Sequence, residues 1–254
     1  MKLRFLGTGT SKGIPIIGST HEVCLSSDEK DKRLRSSVLI CINGFNYVID
    51  CGPDFRQQML HAKVSKIEAI LYTHQHSDHT AGLDDIRPFT QRFGALPIYA
   101  SKQVLKDLKT RFAYIFKTKN KYPSAPSVLV NRVKNTPFVI GDVKVMPIKV
   151  NHGDLKIFGY RFDKIAYLTD VSYIKKSEKE KLCNLEVLVI NALQIKEHPT
   201  HFNLIQALKL IKELKPKQAY ITHVSHKLGF HKEVEKTLPK NVYLAYDGLE
   251  ICVD

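Results

Sequence analysis

The chain has 254 residues, 43% of them hydrophobic and 25% charged, and its 39 Lys and Arg outnumber 25 Asp and Glu for a net charge of +14. A chain of this length and mix buries most of the surface it exposes when unfolded, which excludes disordered, collagenous and disulfide-dependent miniature folds. No apolar run approaches the roughly 18 to 20 residues of a membrane span, and residues 1–7 reach glycine too soon for a signal peptide, so a soluble cytoplasmic protein without a membrane partner is expected.

Five cysteines, Cys24, Cys41, Cys51, Cys183 and Cys252, are odd in number and widely spaced, which favours reduced thiols over a disulfide framework. The positive excess is mostly lysine. A solvated face explains it as well as an anionic partner does.

In chain order, β-branched and apolar runs predict strands at 3–6, 37–41 and 47–50, then a helix over 55–61 and a strand at 69–72. A helix follows over 102–112. Residues 117–127, rich in Lys, Asn, Pro and Ser, read as either a surface loop or the contact of a homodimer. Further strands are expected at 128–130, 143–150, 157–162, 166–168 and 187–190. The clearest helix covers 203–214, where Leu204, Ala207, Leu208, Ile211 and Leu214 form one apolar stripe suited to a core. Strands at 219–221 and 242–245 complete the pattern. With no repeat or linker, residues 1–254 are expected to form a single α/β domain, a sandwich with sheets inside and helices outside.

The segment that carries chemistry starts where the strand at 69–72 ends, in Thr73-His74-Gln75-His76-Ser77-Asp78-His79-Thr80. Four candidate ligands fall within six positions, and imidazole with carboxylate and no thiolate suits borderline divalent ions. In extended backbone His74 and His76 point the same way and can share an ion. Asp78 and His79 follow where the chain turns, which aims them toward a second one. His152, Asp170 and His223 each stand at the C-terminal end of an apolar β run, as His74 does, so one sandwich edge could gather all of them.

Other residues near these motifs have two readings each. Asp50, ending a strand before Cys51-Gly52-Pro53, could orient a metal-bound imidazole or cap a turn. The segment Gly7-Thr8-Gly9-Thr10-Ser11-Lys12-Gly13 meets neither phosphate-loop pattern and reads better as a tight turn beside the site. For Arg87 a surface salt bridge is favoured over a substrate contact.

These residues resemble the metallo-β-lactamase-fold hydrolases over nearly the whole chain, through Phe5-Leu6-Gly7-Thr8-Gly9-Thr10-Ser11, Ile49-Asp50-Cys51-Gly52, the His74 to His79 motif, His152, Asp170 and Thr222-His223. The resemblance implies an αββα sandwich holding two divalent ions, Mn²⁺ or Zn²⁺. His74, His76 and His152 would hold the first, Asp78, His79 and His223 the second, and Asp170 would bridge them. Asp78 and His201 are the residues expected to take part in catalysis. His201 lies 22 positions before His223, a spacing similar to that of the proton donor in the family's phosphodiesterases, and it is preferred over His198.

Within the fold the chain is most similar to the phosphoribosyl 1,2-cyclic phosphate phosphodiesterases of the carbon-phosphorus lyase pathway, through Gly13-Ile14-Pro15, Gly18, Arg33-Leu34-Arg35-Ser36-Ser37 and Thr222-His223-Val224-Ser225-His226. The resemblance implies a metal-dependent hydrolase of a small anionic, cyclic phosphodiester. The main rival is transfer RNA 3′-end processing, but that family inserts an arm between the third histidine and the bridging aspartate. Here His152 and Asp170 are only 18 positions apart. Glyoxalase-type hydrolysis would call for an added helical domain, and 31 residues remain after His223. A basic nucleic-acid-binding module without catalysis would show aromatics interleaved with basic residues, and this reading too is not favoured. The relatives also carry a structural zinc. Its residues align with Ser19, His21, Cys24 and His226, and the loss of thiolates leaves a degenerate third site expected to be vacant or weakly held.

Overall fold

The computed structural model describes residues 1–253. The first half of the chain supplies β1 (Lys2–Gly7), β2 (Ser37–Ile42), β3 (Phe45–Ile49), α1 (Phe55–Ala62), β4 (Ala69–Leu71), α2 (Ser77–Thr80), α3 (Arg87–Phe93), β5 (Leu96–Ala100), α4 (Lys102–Arg111), α5 (Ala113–Phe116) and β6 (Val128–Arg132). The second half supplies β7 (Phe138–Ile140), β8 (Val143–His152), β9 (Leu155–Phe162), β10 (Ile165–Leu168), α6 (Lys176–Lys179), β11 (Val187–Asn191), α7 (Leu204–Leu214), β12 (Gln218–Thr222), α8 (His231–Thr237), β13 (Val242–Leu244) and β14 (Glu250–Cys252).

Two seven-stranded sheets result, in the orders β14-β1-β2-β3-β4-β5-β6 and β13-β12-β11-β10-β9-β8-β7. Each is antiparallel over one part, β14-β1-β2-β3 and β7-β8-β9-β10, and parallel where helices join its strands, β3 to β6 in one and β10 to β13 in the other. Their strands alternate faces with period two, and burial follows the alternation. Leu3, Phe5, Ile40 and Leu71 of one sheet meet Tyr160, Tyr167, Val187 and Val189 of the other in the central layer. On the outer faces, Val48, Ile70 and Ile98 pack under Phe55, Phe89 and Leu108, while Leu168, Leu188, Ile190 and Ile221 pack under α7 and Val234 of α8. The layers are therefore αββα, the architecture expected from the residues. Strands buried on both faces explain the continuous apolar runs at 187–190 and 219–221.

The stripe on α7 is close to the expected one, with a shift. Leu204, Ala207, Leu210 and Ile211 are buried, whereas Leu208 and Leu214 pack at the rim. Burying its three large side chains is worth about 1.5–3 kcal/mol each. Several elements were not anticipated. β5 contains Pro97, which weakens a strand signal, yet it is paired on both sides. β7 and β14 are three residues each, and α2, α5 and α6 four, too short for any periodicity to register. Residues 117–127 have no helix or strand and are tied back through Lys121 Nζ to Ile115 O (2.7 Å) and through Arg87 to Ser124 O (2.7 Å).

Candidate metal centre

Every residue of the proposed ligand set lies at one end of the sandwich, where strands terminate. His74 follows β4, His152 ends β8, Asp170 follows β10 and His223 follows β12. His76 caps α2, and Asp78 and His79 occupy its first turns. Three residues at these strand ends, Asp50, Asp170 and His223, have φ of 67°, 58° and 52°. That left-handed backbone turns the chain sharply out of the strand; it costs little for Asp but is strained for His, and such strain persists where the surroundings enforce it. The 50–52 turn docks against α2: Cys51 N–H donates to His79 O (2.8 Å) and Gly82 N–H to Cys51 O (2.9 Å). A side chain at Gly52 would collide with Asp78 O, and one at Gly82 with Gly52 O, so only glycine permits this approach.

Four ligand groups converge: His74 with His76 and His152; His74 with His79 and Asp170; Asp78 with His79 and His223; His152 with Asp170 and His201. Within each, the donor atoms lie within 4.8 Å of one another. Neighbouring acceptors assign the imidazole protons. His79 Nδ1–H donates to Asp50 Oδ2 (2.7 Å). Asp50 also accepts from the Thr73 hydroxyl (2.9 Å), so Thr73 Oγ1 is free to accept from His74 Nδ1–H (3.0 Å). His152 Nδ1–H donates to Thr200 O (2.7 Å). The Ser36 hydroxyl donates to Gly9 O (2.8 Å) and accepts from His223 Nδ1–H (2.9 Å). In all four rings Nε2 is left with its lone pair facing the cluster.

The electrostatics fit a cation between these groups. His79 Nε2 is buried without a hydrogen-bond partner, although Asp78 Oδ2 and Asp170 Oδ2 lie 3.2 and 3.3 Å away. A lone pair aimed at two carboxylates is repulsive unless a positive charge intervenes. Burial alone would lower the His79 pKa, but Asp78, Asp170 and Asp50 together hold it well above the ordinary range. Asp170 is held well below the ordinary carboxyl range, because His223 and His79 outweigh its burial. At His74 and His223 burial, helped by the neighbouring imidazoles, outweighs the carboxylates: it draws His74 well down and pushes His223 down to about 4. Asp50 is raised by burial against the pull of His79. Nitrogen and carboxylate donors in this number suit one or two borderline divalent ions.

His201 stands at the cluster, with Nε2 3.1 Å from Asp170 Oδ1 and its ring stacked on His223 at 5.2 Å. His198 lies behind it, Nδ1 to Nδ1 at 3.2 Å. Arg87 is committed to Asp84 through two bonds of 2.7 Å, as a salt bridge, and does not face the cluster. The third site is not assembled as a metal trio: the His21 and His226 rings meet edge to face at 4.7 Å and His21 Nδ1 accepts from Val23 N–H, whereas Cys24 is buried in the apolar core. His21, Cys24 and His226 form no converging ligand group. Sequence reasoning did not single out Thr73, Thr200 and Ser36 as the groups that orient the imidazoles. Thr73 adjoins the motif and so carried a positional signal; Ser36 and Thr200 are brought in only by folding. A groove of about 650 Å³ beside Met1, Val143 and Arg161 lies at the opposite strand ends, away from the cluster.

Comparison with known proteins places this geometry. A family model described as a β-lactamase superfamily domain matches residues 45–224. Among solved structures the chain is similar to a diphosphatase from the PhnP family, with a TM-score of 0.93 and 40% identity, covering 100% of this chain and 98% of that one. Among curated proteins it is 40% identical over 257 residues to an octanoyltransferase of Porphyromonas gingivalis, covering 100% of this chain, but it spans only 52% of that protein's length. It is also 27% identical over 326 residues to ribonuclease Z of Bacillus subtilis, covering 100% of this chain and 99% of the other.

Proposed function

The chain belongs to the β-lactamase superfamily, and we propose that it is a dinuclear metal-dependent phosphodiesterase acting on a small cyclic phosphodiester such as phosphoribosyl 1,2-cyclic phosphate. The observation that carries this reading is the convergence of His74, His76, His79, His152 and His223 on Asp78 and Asp170 in overlapping ligand groups, with the His201 ring at the same carboxylate. The full-length likeness to a PhnP-family diphosphatase supports phosphate ester chemistry over lactam or thioester hydrolysis.

His74, His76 and His152 would hold one ion and Asp78, His79 and His223 the other, with Asp170 shared. Two such ions, Mn²⁺ or Zn²⁺, would supply Lewis acidity, making water a better nucleophile and offsetting the charge that grows on phosphoryl oxygen. The protein's own part is orientation and proton transfer. Asp50, Thr73, Thr200 and Ser36 fix the ring tautomers, so the ligands need no rearrangement as charge develops. His201, with Nε2 at the shared Asp170, would give a proton to the departing alkoxide.

Transfer RNA processing is the rival favoured by the ribonuclease Z likeness. The stretch between His152 and Asp170 argues against it, because β9 and β10 fill that interval and leave no arm. Acyl transfer, named for a relative of which this chain spans only 52%, finds no cysteine among the converging ligand groups of the described residues to carry an acyl group. The deciding experiment is metal-dependent hydrolysis of bis(p-nitrophenyl) phosphate and of a ribose cyclic phosphate. Chelation should abolish turnover and Mn²⁺ or Zn²⁺ should restore it; unchanged turnover after verified metal removal refutes the reading.

A further inference from the structure

Of the five imidazoles in the proposed ligand set, His74, His79, His152 and His223 are oriented from behind by an acceptor at Nδ1. His76 is not. Among the described residues its ring meets one hydrogen-bonding group, Nε2 of the neighbouring His74, 2.9 Å from its Nδ1. The residue is exposed, and the aim of its ring depends on how firmly its main chain is held. That main chain enters α2, a helix of four residues with no side-chain cap, far too short to be stable on its own. On one side the 50–52 turn docks against α2 and Asp50 holds His79, which leaves the start of the segment, Gln75 and His76, to be fixed from elsewhere.

Arg111, the last residue of α4, supplies that hold. Its Nη2 donates to Thr80 Oγ1 (2.6 Å) and to Gln75 O (3.1 Å). The Thr80 hydroxyl has one proton, and with Arg111 as its donor it gives that proton to His76 O (2.7 Å). Both peptide groups that flank His76 are thus anchored by one guanidinium, the group before it at Gln75 O and the group after it at His76 O. His76 O also accepts from His79 N–H (3.1 Å), which joins this grip to the turn of α2 that carries Asp78 and His79. Arg111 is itself preset, since its Nε donates to Asp107 Oδ2 (2.6 Å) one turn back on α4 and its guanidinium lies 5.5 Å from the Phe112 ring. Thr80 is fully buried, so the relay is shielded from water, and a charged donor makes it stronger than a neutral pair.

We propose that Arg111 is a positioning residue for His76, doing through the main chain what acceptors at Nδ1 do for the other four rings. This inference rests on the metal-ligand assignment of the proposed function and deepens it. Arg111 belongs to none of the converging ligand groups and acts through Thr80 and the 75–77 backbone. In the proposed assignment His76 serves one ion of the two. The ligands of the other ion keep their own supports: Asp50 and the 50–52 turn for His79 and α2, Ser36 for His223. Loss of Arg111 should therefore weaken one metal-binding step and spare the other, by the 10- to 100-fold typical of groups that orient a ligand.

The test titrates metal-free protein with Zn²⁺ against a chromophoric chelator and resolves the two binding steps. Arg111→Met should weaken one step by roughly 10- to 100-fold and leave the other within about threefold. Thr80→Val, which breaks the relay, should weaken the same step, and the two changes together should cost less than the product of their separate effects. In a His76→Ala background, where the ring is already gone, Arg111→Met should cost less than about threefold. Arg111→Lys, which keeps a donor for Thr80 Oγ1, should fall between the wild type and Arg111→Met. Equal weakening of both steps, or an undiminished cost in the His76→Ala background, would overturn the role. So would unchanged affinity; if the thermal midpoint of the metal-free variant then falls, Arg111 is a brace of the fold alone. The metal-ligand reading fails separately, by a wild-type protein that binds no ion.

Discussion

Asp50 touches none of the ring nitrogens that face the cluster, yet it sets two of them. By accepting from His79 Nδ1 directly and from His74 through the Thr73 hydroxyl, one buried carboxylate fixes the tautomer of a histidine in each half of the proposed site. Its burial raises its pKa and the nearby imidazole opposes that rise, so its charge depends on the cluster it supports. His201 has the opposite character. No carboxylate lies behind it; its Nδ1 faces Thr200 Oγ1 at 2.9 Å, and its Nε2 faces the shared Asp170. A ring held this way can give up a proton without losing a ligand contact. His201→Ala should therefore keep its metal while turnover of a cyclic phosphate, whose alkoxide must be protonated, falls on the order of 10²- to 10⁴-fold. Bis(p-nitrophenyl) phosphate has a leaving group that needs little protonation, and its turnover should fall much less. Equal falls on both substrates, measured alongside metal content, would remove the proton-donor role.

At the scale of elements, α7 positions the loop that carries His201. Its N-terminus is closed by a reciprocal cap, Asn203 Oδ1 accepting from Gln206 N–H (2.9 Å) and Gln206 Oε1 from Asn203 N–H (3.0 Å), while Phe202 N–H is tied to Val171 O. Asn203→Ala should cost about 1 kcal/mol, read as a lower thermal midpoint, with metal content retained; an unchanged midpoint would mean that tertiary packing alone holds the loop. This end of the helix was readable from sequence, because Asn203 precedes an apolar stripe, and so were the long strands, whose alternation reflects two buried faces. The ligand set was readable for a related reason: His74, His152, Asp170 and His223 all stop apolar runs, and a strand end is a place the sequence marks. What the sequence did not mark are contacts made at long range. Ser36 reaches His223 through its hydroxyl across 187 positions and Thr200 reaches His152 through its main-chain carbonyl across 48, and neither a serine hydroxyl nor a backbone carbonyl is marked by residue type. Nor could residue type reveal that Cys24 is buried in the apolar core and forms no converging ligand group with His21 and His226.

At the scale of the molecule, the first and last parts of the chain are joined behind the site by a buried polar network. Arg33 donates to Thr8 Oγ1 (2.7 Å), Ala245 O (2.5 Å) and His231 Nδ1 (3.1 Å); Asp247 accepts from Thr8 N–H, Thr8 Oγ1–H and Leu34 N–H; Asp31 accepts from His231 N–H. Because Arg33 can only donate, the His231 Nδ1 it meets must lack a proton. Burial, with the Arg33 charge, pushes the His231 pKa down to about 4, while burial raises Asp247 to about 6 despite its three hydrogen bonds. The two act in opposite directions on stability. Between about pH 6.5 and 4 the unfolded chain protonates His231 and the folded chain does not, so acidification favours unfolding. Between about pH 6 and 3.8 the folded chain protonates Asp247 first, so acidification favours folding. His231→Gln keeps an acceptor for Arg33 and removes only the first effect. In urea unfolding of metal-free protein, where the ligand histidines titrate alike in both chains, the variant should gain on the wild type by about 1–2 kcal/mol between pH 7.5 and pH 5. A stability difference that stays constant over that range would show that His231 does not titrate with unfolding, and that the junction behind the site is held without regard to its charge.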